Sequence, residues 1–325
     1  MRPVYYEPVA RVYYGSVCSA AYLLSWLAWL TTFLLPLLLV YDTSTFWPHS
    51  IAYREQPSMQ YMYQTLLLIE GTARDDQGNV RVFSGFWSTL PTSVNQLAGA
   101  ALRPGQIQSF ADDDNRDGLL DRVSIEVAIA VNAGESVHKA SLLVMFNATM
   151  QTHAQLCMDV MALVSHASPL PGSVLYTVGD LALSFKRPLP LTTTCATPYA
   201  TDALLNVSSL QHADDLRFEQ FMLRQTRREN RATVANQEHV WIQDASEAPR
   251  RFVMNATLSV PVSDISYVPT FYERLQRGWV QYYAAFVLVA SLVTSLVAFI
   301  VRERLVGTIE AATKATGPLA HFHSQ

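Results

Sequence analysis

The chain has 325 residues, of which half are hydrophobic and only 15% are charged, whereas about 25% charged residues is usual in soluble proteins. The net charge of −4 excludes the strongly basic surface by which proteins bind nucleic acid. The three cysteines, Cys18, Cys157 and Cys195, are too few for a disulfide-stapled scaffold or a cysteine-rich zinc site.

The first apolar run predicts a transmembrane helix over residues 17–41, after an N-terminal tail of residues 1–16. No charged residue lies between Val12 and Tyr41, and about 20 apolar residues are enough to cross a bilayer. The alternative is a cleaved signal peptide. The run is too long for one, and no small-residue cleavage site follows it before Asp42.

Residues 42–277 predict one β-rich, sandwich-like domain with some α-helix. Apolar and polar residues alternate there, which is typical of half-buried strands. The clearest strands are 123–131, 142–150 and 252–262, and further candidates are 61–69, 156–164 and 174–185. The charge-dense stretch 214–231 predicts a short surface helix. Strands so close in sequence pair antiparallel and bury one face, which favours a sandwich.

A loop before the strand at 123–131 has the residue spacing of a calcium site. Five residues supply oxygen ligands around Gly118: Asp113, Asn115, Asp117, Leu119 through its carbonyl, and Asp121. Ser124 stands where an EF-hand has a bidentate Glu, and a strand follows instead of a helix. The alternative is a solvated Asp/Asn/Gly turn between strands. Calcium is the single cofactor that the sequence suggests.

Three N-glycosylation sequons begin at Asn147, Asn206 and Asn255, all within residues 42–277. Their shared placement predicts that this domain faces the lumen or the extracellular space, with both termini in the cytosol. Cys157 and Cys195 are the only cysteines of the domain. In an oxidising compartment they either form a disulfide or remain two buried thiols.

The second apolar run predicts a transmembrane helix over residues 278–301, followed by a C-terminal tail of residues 302–325. A buried core helix is the alternative, but such a helix rarely lacks a charge over this length. Ala290, Thr294 and Ala298 recur every four residues, and small residues at this spacing let helices approach closely. Neither run has a central charge, which argues against a proton relay or an ion-binding transporter.

Several short motifs, taken in order along the chain, resemble the transmembrane protein 231 family. They are Tyr53-Arg54-Glu55-Gln56-Pro57, Phe86-Trp87-Ser88-Thr89, the loop at 113–121 with the strand after it, Pro171-Gly172-Ser173 with Leu175-Tyr176 and Gly179-Asp180-Leu181, Ile265-Ser266-Tyr267 with Pro269, and Trp279-Val280-Gln281-Tyr282. The likeness extends over residues 50–285, and the predicted topology matches as well.

The resemblance implies a function by assembly. Members of that family are non-enzymatic components of the ciliary transition zone, in the Meckel-syndrome module with tectonics, meckelin and cytosolic partners. They help to form the barrier that controls which membrane proteins enter the cilium. The resemblance thus implies a transition-zone membrane location, contacts with lipids and such proteins, and no catalytic residue.

The sequence also contains none of the common motifs of hydrolases, zinc proteases or nucleotide-binding enzymes. An accessory subunit of a transporter, such as a lipid flippase, or a two-span channel remains as the alternative with the same topology.

Overall fold

The computed structural model describes residues 11–14, 16, 19–41, 46–75, 77–243 and 251–312. The chain divides into two compact units. The terminal unit comprises Met1–His49 and Thr270–Gln325, and the β domain comprises Ser50–Pro269.

The described residues form four α-helices, fifteen strands and three short 3₁₀ helices. The α-helices are α1 (Ala20–Tyr41), α2 (Thr92–Asn95), α3 (Phe218–Arg227) and α4 (Phe271–Arg302). The strands are β1 (Arg11–Tyr14), β2 (Ile51–Glu55), β3 (Ser58–Arg74), β4 (Val80–Ser88), β5 (Gly105–Asp112), β6 (Arg122–Ala130), β7 (Glu135–Met150), β8 (Ala154–Gly172), β9 (Val174–Phe185), β10 (Leu189–Pro190), β11 (Thr192–Ala196), β12 (Asn230–Ile242), β13 (Arg251–Ser259), β14 (Ser263–Val268) and β15 (Ile309–Ala312). The 3₁₀ helices are Gln96–Ala101, Val207–Ser209 and Ala213–Leu216.

Within the described ranges, α1 and α4 are long and apolar enough to cross a membrane. Only 11% of the most apolar window of α1 and 6% of that of α4 is buried, so neither is the core helix of a soluble domain. Helix α4 begins at Phe271, before the apolar run, because a capping box starts it. Thr270 accepts a hydrogen bond from the backbone N–H of Glu273, whose carboxylate accepts one from the N–H of Thr270.

The two long helices contact each other through aromatic side chains. The ring centroids of Phe33 on α1 and Phe286 on α4 are 5.4 Å apart. Pro36 has no N–H to donate to the preceding turn of α1, and no water replaces that donor in a bilayer. The Tyr282 hydroxyl donates a hydrogen bond to the carbonyl of Phe33 at 3.3 Å. The carbonyl that Pro36 leaves without an intrahelical N–H is that of Thr32, so this hydrogen bond joins α4 to the neighbouring carbonyl of α1 and does not replace the missing donor.

The β domain is a sandwich of two five-stranded sheets. The first sheet has the order β11-β8-β7-β3-β4 and the second has the order β12-β9-β13-β6-β5. Neighbours are antiparallel except β11 with β8 and β13 with β9. A three-stranded sheet, β10-β14-β2, adjoins them within the domain. The predicted fold, two apolar helices flanking a β-rich sandwich, is confirmed.

Alternating apolar side chains from the two sheets build one shared core. Ile125 on β6 lies opposite Ala256 on β13, and both are fully buried. Phe146 on β7 reaches the same core from the first sheet. Val262 was predicted to continue the buried face of β13 but is 59% exposed. Strand β13 ends before it because Pro261 has no N–H to donate to a ladder.

Strand β7 is apolar on both faces. Leu143 and Met145 point away from the shared core and fill a second buried cluster with Phe221 of α3. The helix predicted over 214–231 is shorter in the structure, where α3 ends at Arg227. It was predicted as a surface helix, but one of its faces is buried. Phe221 is only 1% exposed. Covering the apolar outer face of β7 is what holds α3 in place.

Arg228 fastens the segment between β9 and β12 to the first sheet. Its guanidinium donates to the carbonyl of Asp159 at 2.8 Å, to the carboxylate of Asp159 at 3.3 Å and to the carbonyl of Asp202. It also lies over the ring of Tyr199, 4.2 Å from the centroid. The Asp159 carboxylate accepts the N–H of Leu204 at 2.9 Å. A charge at 4% exposure is tolerated because it is paired and hydrogen-bonded.

We predict that Asp159→Ala lowers the free energy of unfolding by about 3–5 kcal/mol, because the Arg228 charge then stays buried without its counter-ion. Asp264→Ala is the matched control. It removes the carboxylate 3.0 Å from Arg54, but those side chains are 80% and 68% exposed, and such pairs contribute about 0–1 kcal/mol. Denaturant unfolding of the purified full-length protein, followed by circular dichroism, measures both. Equal small losses would contradict the anchoring role of Arg228.

Candidate interaction surfaces and sites

The loop between β5 and β6 is held together by its own amides. Asp113 accepts hydrogen bonds from the N–H of Asp117 at 3.3 Å and of Gly118 at 2.9 Å. Asp117 accepts the N–H of Leu119 at 2.7 Å and the side-chain amide of Asn115 at 2.9 Å. Gly118 has a φ of 85°, which favours glycine. The predicted ligands thus form an ordered turn in which their oxygens already have donors.

Asp121 ties this loop to the segment that follows β2. Its carboxylate accepts the side-chain amide of Gln56 at 2.8 Å and the N–H groups of Asp114 and Asn115 at 2.9 and 3.3 Å. These hydrogen bonds, that of Gln56 above all, lower the pKa of the Asp121 carboxyl. Among the described residues, no three His, Cys, Asp or Glu side chains are gathered as metal ligands. Calcium binding at this loop therefore stays a prediction.

Tyr53 and Glu55 connect β2 to the turn between β7 and β8 through hydrogen bonds. The Tyr53 hydroxyl donates to Glu55 at 2.9 Å, and Glu55 accepts the N–H of Gln151 at 2.9 Å. The Tyr53 ring lies 4.9 Å from His153 and 5.5 Å from Tyr267. Burial raises the pKa of Tyr53 to about 12, so the phenol stays protonated as a donor. From the sequence, Tyr53 and Glu55 could be recognised only as part of a family-like motif. Their structural role was not visible, because most of the residues that they contact lie far away along the chain.

Cys157 on β8 and Cys195 on β11 form a disulfide, with their Cα atoms 5.7 Å apart. Of the two alternatives that the sequence left open, the structure has the bridge. It joins the edge strand β11 to β8. The disulfide thus fixes the beginning of the segment between β9 and β12, and Arg228 anchors the end of that segment. Bridges of this kind persist in oxidising compartments.

The three sequon asparagines differ in accessibility. Asn206 is exposed and caps a 3₁₀ helix, where its side chain accepts the N–H of Ser208 at 3.1 Å. Asn147 is half-buried on β7, which has a strand on either side. Asn255 is half-buried on the central strand β13, and its amide contacts Glu126 at 3.5 Å. A bulky glycan is accommodated most easily at Asn206.

The small residues of α4 meet those of α1 across a cleft. Thr294 and Ala298 line it from α4, and Ser25 and Ala28 line it from α1. The cleft has a volume of about 690 Å³. Ala290, the third residue of the predicted stripe, does not line it. The packing role of the stripe therefore stays a prediction.

Four large apolar side chains are exposed together on the outer face of the second sheet. We name them the β9–β12 patch: Tyr176 (46% exposed), Val178 (52%), Val240 (58%) and Ile242 (41%). Val240 lies directly opposite Tyr176 in the ladder of β12 and β9. On the other side of β9, Asn255 lies opposite Tyr176. Contiguous exposed apolar residues of this kind mark interaction sites.

His239 on β12 lies opposite the buried Thr177, on the sheet face that points away from the β9–β12 patch, and contacts a second histidine. Its ring centroid is 4.7 Å from that of His166 on β8, and its Nδ1 atom is 3.0 Å from the Thr177 hydroxyl. Burial, followed by the charge of His166, lowers the pKa of His239. The neutral form of the His239 imidazole is therefore favoured more strongly than in a solvent-exposed histidine.

We predict that Asn206 carries a glycan. Glycosidase treatment of membranes should increase the gel mobility of the wild type, and Asn206→Gln should remove most of that shift. Asn255→Gln is the control, because its half-buried position on a central strand leaves little room for a glycan. A full glycosidase shift in Asn206→Gln would show that another sequon is used.

We predict that the loop at 113–121 binds calcium weakly, with a Kd of about 10⁻⁴–10⁻³ M. The ion would have to replace the amide donors that now occupy the Asp113 and Asp117 carboxylates, which limits its affinity. Calorimetric titration of the purified protein measures this binding. Asp117→Ala should abolish the heat and Asp264→Ala should retain it. A wild type that gives no heat leaves the plain turn as the correct interpretation.

We predict that His239 makes the β domain less stable in acid. Because its pKa is lower in the folded state, the unfolded chain binds more protons below its ordinary pKa of about 6.5. The penalty is therefore absent above that pH, and it develops as the pH falls toward the folded-state value. Thermal unfolding at about pH 7.5 and about pH 5 should show a smaller loss for His239→Gln than for the wild type. Parallel losses in both proteins would exclude His239 as a cause.

Known proteins match this chain over almost its whole length. The family model described as Transmembrane protein 231 matches residues 1–310. Transmembrane protein 231 of Homo sapiens is 30% identical over 324 residues, which cover 98% of this chain and 97% of that protein. The Xenopus tropicalis protein is 30% identical over 319 residues, or 94% of each chain. The Mus musculus protein is 28% identical over 311 residues, again 94% of each.

Among solved structures, a proton-activated chloride channel aligns with 87% of this chain and 96% of its own, at 8% identity and a TM-score of 0.25. That likeness is too low for any conclusion about structure. The full-length matches in sequence, together with two apolar helices around a β sandwich, show that this chain belongs to the transmembrane protein 231 family.

Proposed function

We propose that the protein is a non-enzymatic membrane component of the ciliary transition zone. It acts by assembly with other transition-zone proteins, takes part in ciliogenesis, and contributes to the barrier that controls entry of membrane proteins into the cilium. Both termini lie in the cytosol and the β domain lies on the exoplasmic side. The family match over residues 1–310 is the observation that carries this proposal.

The groups with shifted pKa values favour assembly over catalysis. Catalytic groups with perturbed pKa values usually converge in a cleft. Here Tyr53 connects β2 to a turn, Tyr61 contacts Thr65 on β3, and Asp121 anchors a surface loop. Asp215 accepts the N–H of His212 in a surface turn, and His239 contacts His166. Each shift has a local structural cause, and each group lies in a different part of the β domain. The family, moreover, is one of membrane proteins and not a known enzyme family.

The β9–β12 patch is the best candidate for an exoplasmic partner surface. On the first sheet, α3 and the segment before it cover the outer face around Leu143 of β7, whereas Tyr176 and Val240 of the second sheet are exposed. Tyrosine is favoured at the centre of interfaces because its ring is large, rigid and amphipathic. A partner with an apolar exoplasmic surface, such as a tectonic-like or meckelin-like protein, would bury this patch.

Substitution in the patch tests the surface. Tyr176→Ala should weaken co-purification of exoplasmic partners by about 2 kcal/mol, roughly 30-fold, and Val240→Asp should abolish it because the carboxylate would be buried unpaired. Val82→Asp is the matched control, since Val82 is 86% exposed on β4 of the first sheet. Normal recovery of partners with Val240→Asp would exclude the patch as the interface.

A tagged copy and a deletion test the role itself. The tagged protein should concentrate at the base of the cilium. Deletion should change the protein composition of the ciliary membrane while bulk secretion and lipid asymmetry stay normal. If ciliary composition is unchanged and lipid asymmetry fails instead, the protein is a transporter subunit.

A further inference from the structure

One end of the α1–α4 pair opens into the cleft of about 690 Å³ described above. Phe33 and Phe286 hold the helices together elsewhere, and Ser25 lies about 12 Å along α1 from Phe33 at 1.5 Å per residue. Toward Ser25 the small side chains of Ala28 and Ala298 line the cleft together with the larger Trp29, and space remains between the helices. Arg302, the last residue of α4, and Tyr13 of β1 line the cleft at this end.

The walls of the cleft between the helices are apolar. The hydroxyl of Thr32 donates to the carbonyl of Ala28 at 2.7 Å, and that of Thr294 donates to the carbonyl of Ala290 at 2.7 Å. Both hydroxyls are therefore satisfied within their own helices and require no polar ligand. An empty volume beside these walls would forfeit dispersion contacts. Hydrocarbon is the matching occupant.

The end of the cleft has the opposite character. Among the described residues, Arg302 has no hydrogen bond and no ion pair, and its side chain is exposed. A guanidinium offers a planar fork of donors that fits the oxygens of a phosphate. Basic pockets between transmembrane helices bind anionic head groups in this way. The cleft is thus apolar along its length and cationic at one end.

From this distribution we propose that the cleft binds one anionic phospholipid. An acyl chain lies between the small residues of α1 and α4, and the phosphate of the head group lies at Arg302 beside the Tyr13 hydroxyl. The volume agrees, because small-molecule sites span about 300–1,000 Å³. A spanning helix from a partner is about 10 Å across and 30 Å long, which far exceeds this space. It would also leave Arg302 without a counter-charge.

The test uses the full-length protein and native mass spectrometry. Purified protein is equilibrated in micelles that contain equal amounts of phosphatidylserine and phosphatidylcholine, then washed with detergent. The wild type should retain one phosphatidylserine. Arg302→Gln should lower that retention at least tenfold and remove the preference over phosphatidylcholine, whereas Arg302→Lys should keep part of it. Inorganic phosphate added to the micelles should not displace the lipid, because the acyl chain contributes most of the contact.

Two substitutions on α4 separate the cleft from the general lipid surface. Ala298→Phe should fill the cleft and abolish retention, whereas Ala290→Phe, on the same helix but outside the cleft, should retain the lipid. Circular dichroism and gel filtration should show both variants folded, and Arg302→Gln alone decides the matter if Ala298→Phe misfolds.

Equal retention of the two lipids by the wild type, displacement by phosphate alone, or retention unchanged in Arg302→Gln would overturn the proposal. A co-purifying protein in place of the lipid would overturn it as well, while leaving the proposed ciliary role intact.

Discussion

The burial of both faces of β7 is the constraint on which the rest of the β domain depends. On its inner face Phe146 joins the core that the two sheets share, and on its outer face Leu143 and Met145 need a second apolar cover. Helix α3 and the segment before it provide that cover through Phe221. The outer layer is then fixed at two points, the disulfide of Cys157 and the buried guanidinium of Arg228.

This arrangement makes the two outer faces of the sandwich unequal. Part of the outer face of the first sheet is covered by the protein's own chain, through α3 and the segment before it, although Tyr63 on β3 and Val82 on β4 are 73% and 86% exposed. Within the part of the chain that the structure describes, no such layer lies over β9 and β12, and four large apolar side chains are exposed there. Leaving apolar area in water costs free energy, about 25 cal/mol per Å². A partner that covers these side chains would recover that free energy, which supports the β9–β12 patch as the proposed partner surface.

The family-like motifs contribute mainly hydrogen bonds and close contacts within the β domain. Gln56 holds the acidic loop through Asp121, and Glu55 holds the turn between β7 and β8. At Gly172 a Cβ atom would clash with the indole of Trp241, so the motif that contains it needs glycine for close packing. These contacts join residues far apart in sequence, so the short motifs have a structural role in the β domain.

Local sequence patterns predicted those features of the fold that depend on residues close together along the chain. The two apolar helices and most strands followed from run length and period-two alternation. Alternation could not show that Leu143 and Met145 are also buried, because that depends on α3, which lies far along the chain. For the same reason the length of α3 and the choice between a disulfide and free thiols were not fixed by spacing. The ligand spacing of the acidic loop was visible, but the amide donors that occupy its carboxylates were not.

The two units therefore meet different physical demands. The β domain is stabilised by its two buried apolar clusters, and the exposed β9–β12 patch is the surface that we propose for a partner. The helix pair has no hydrophobic driving force of its own in lipid, and the contacts of Phe33 with Phe286 and Tyr282 hold only part of its length. At the end of the pair near Ser25, space remains that an acyl chain would fill in our proposal, and Arg302 at that end would favour a negatively charged head group. A helix pair that is loose at one end can thus gain stability from the lipid around it, independently of what the β domain binds.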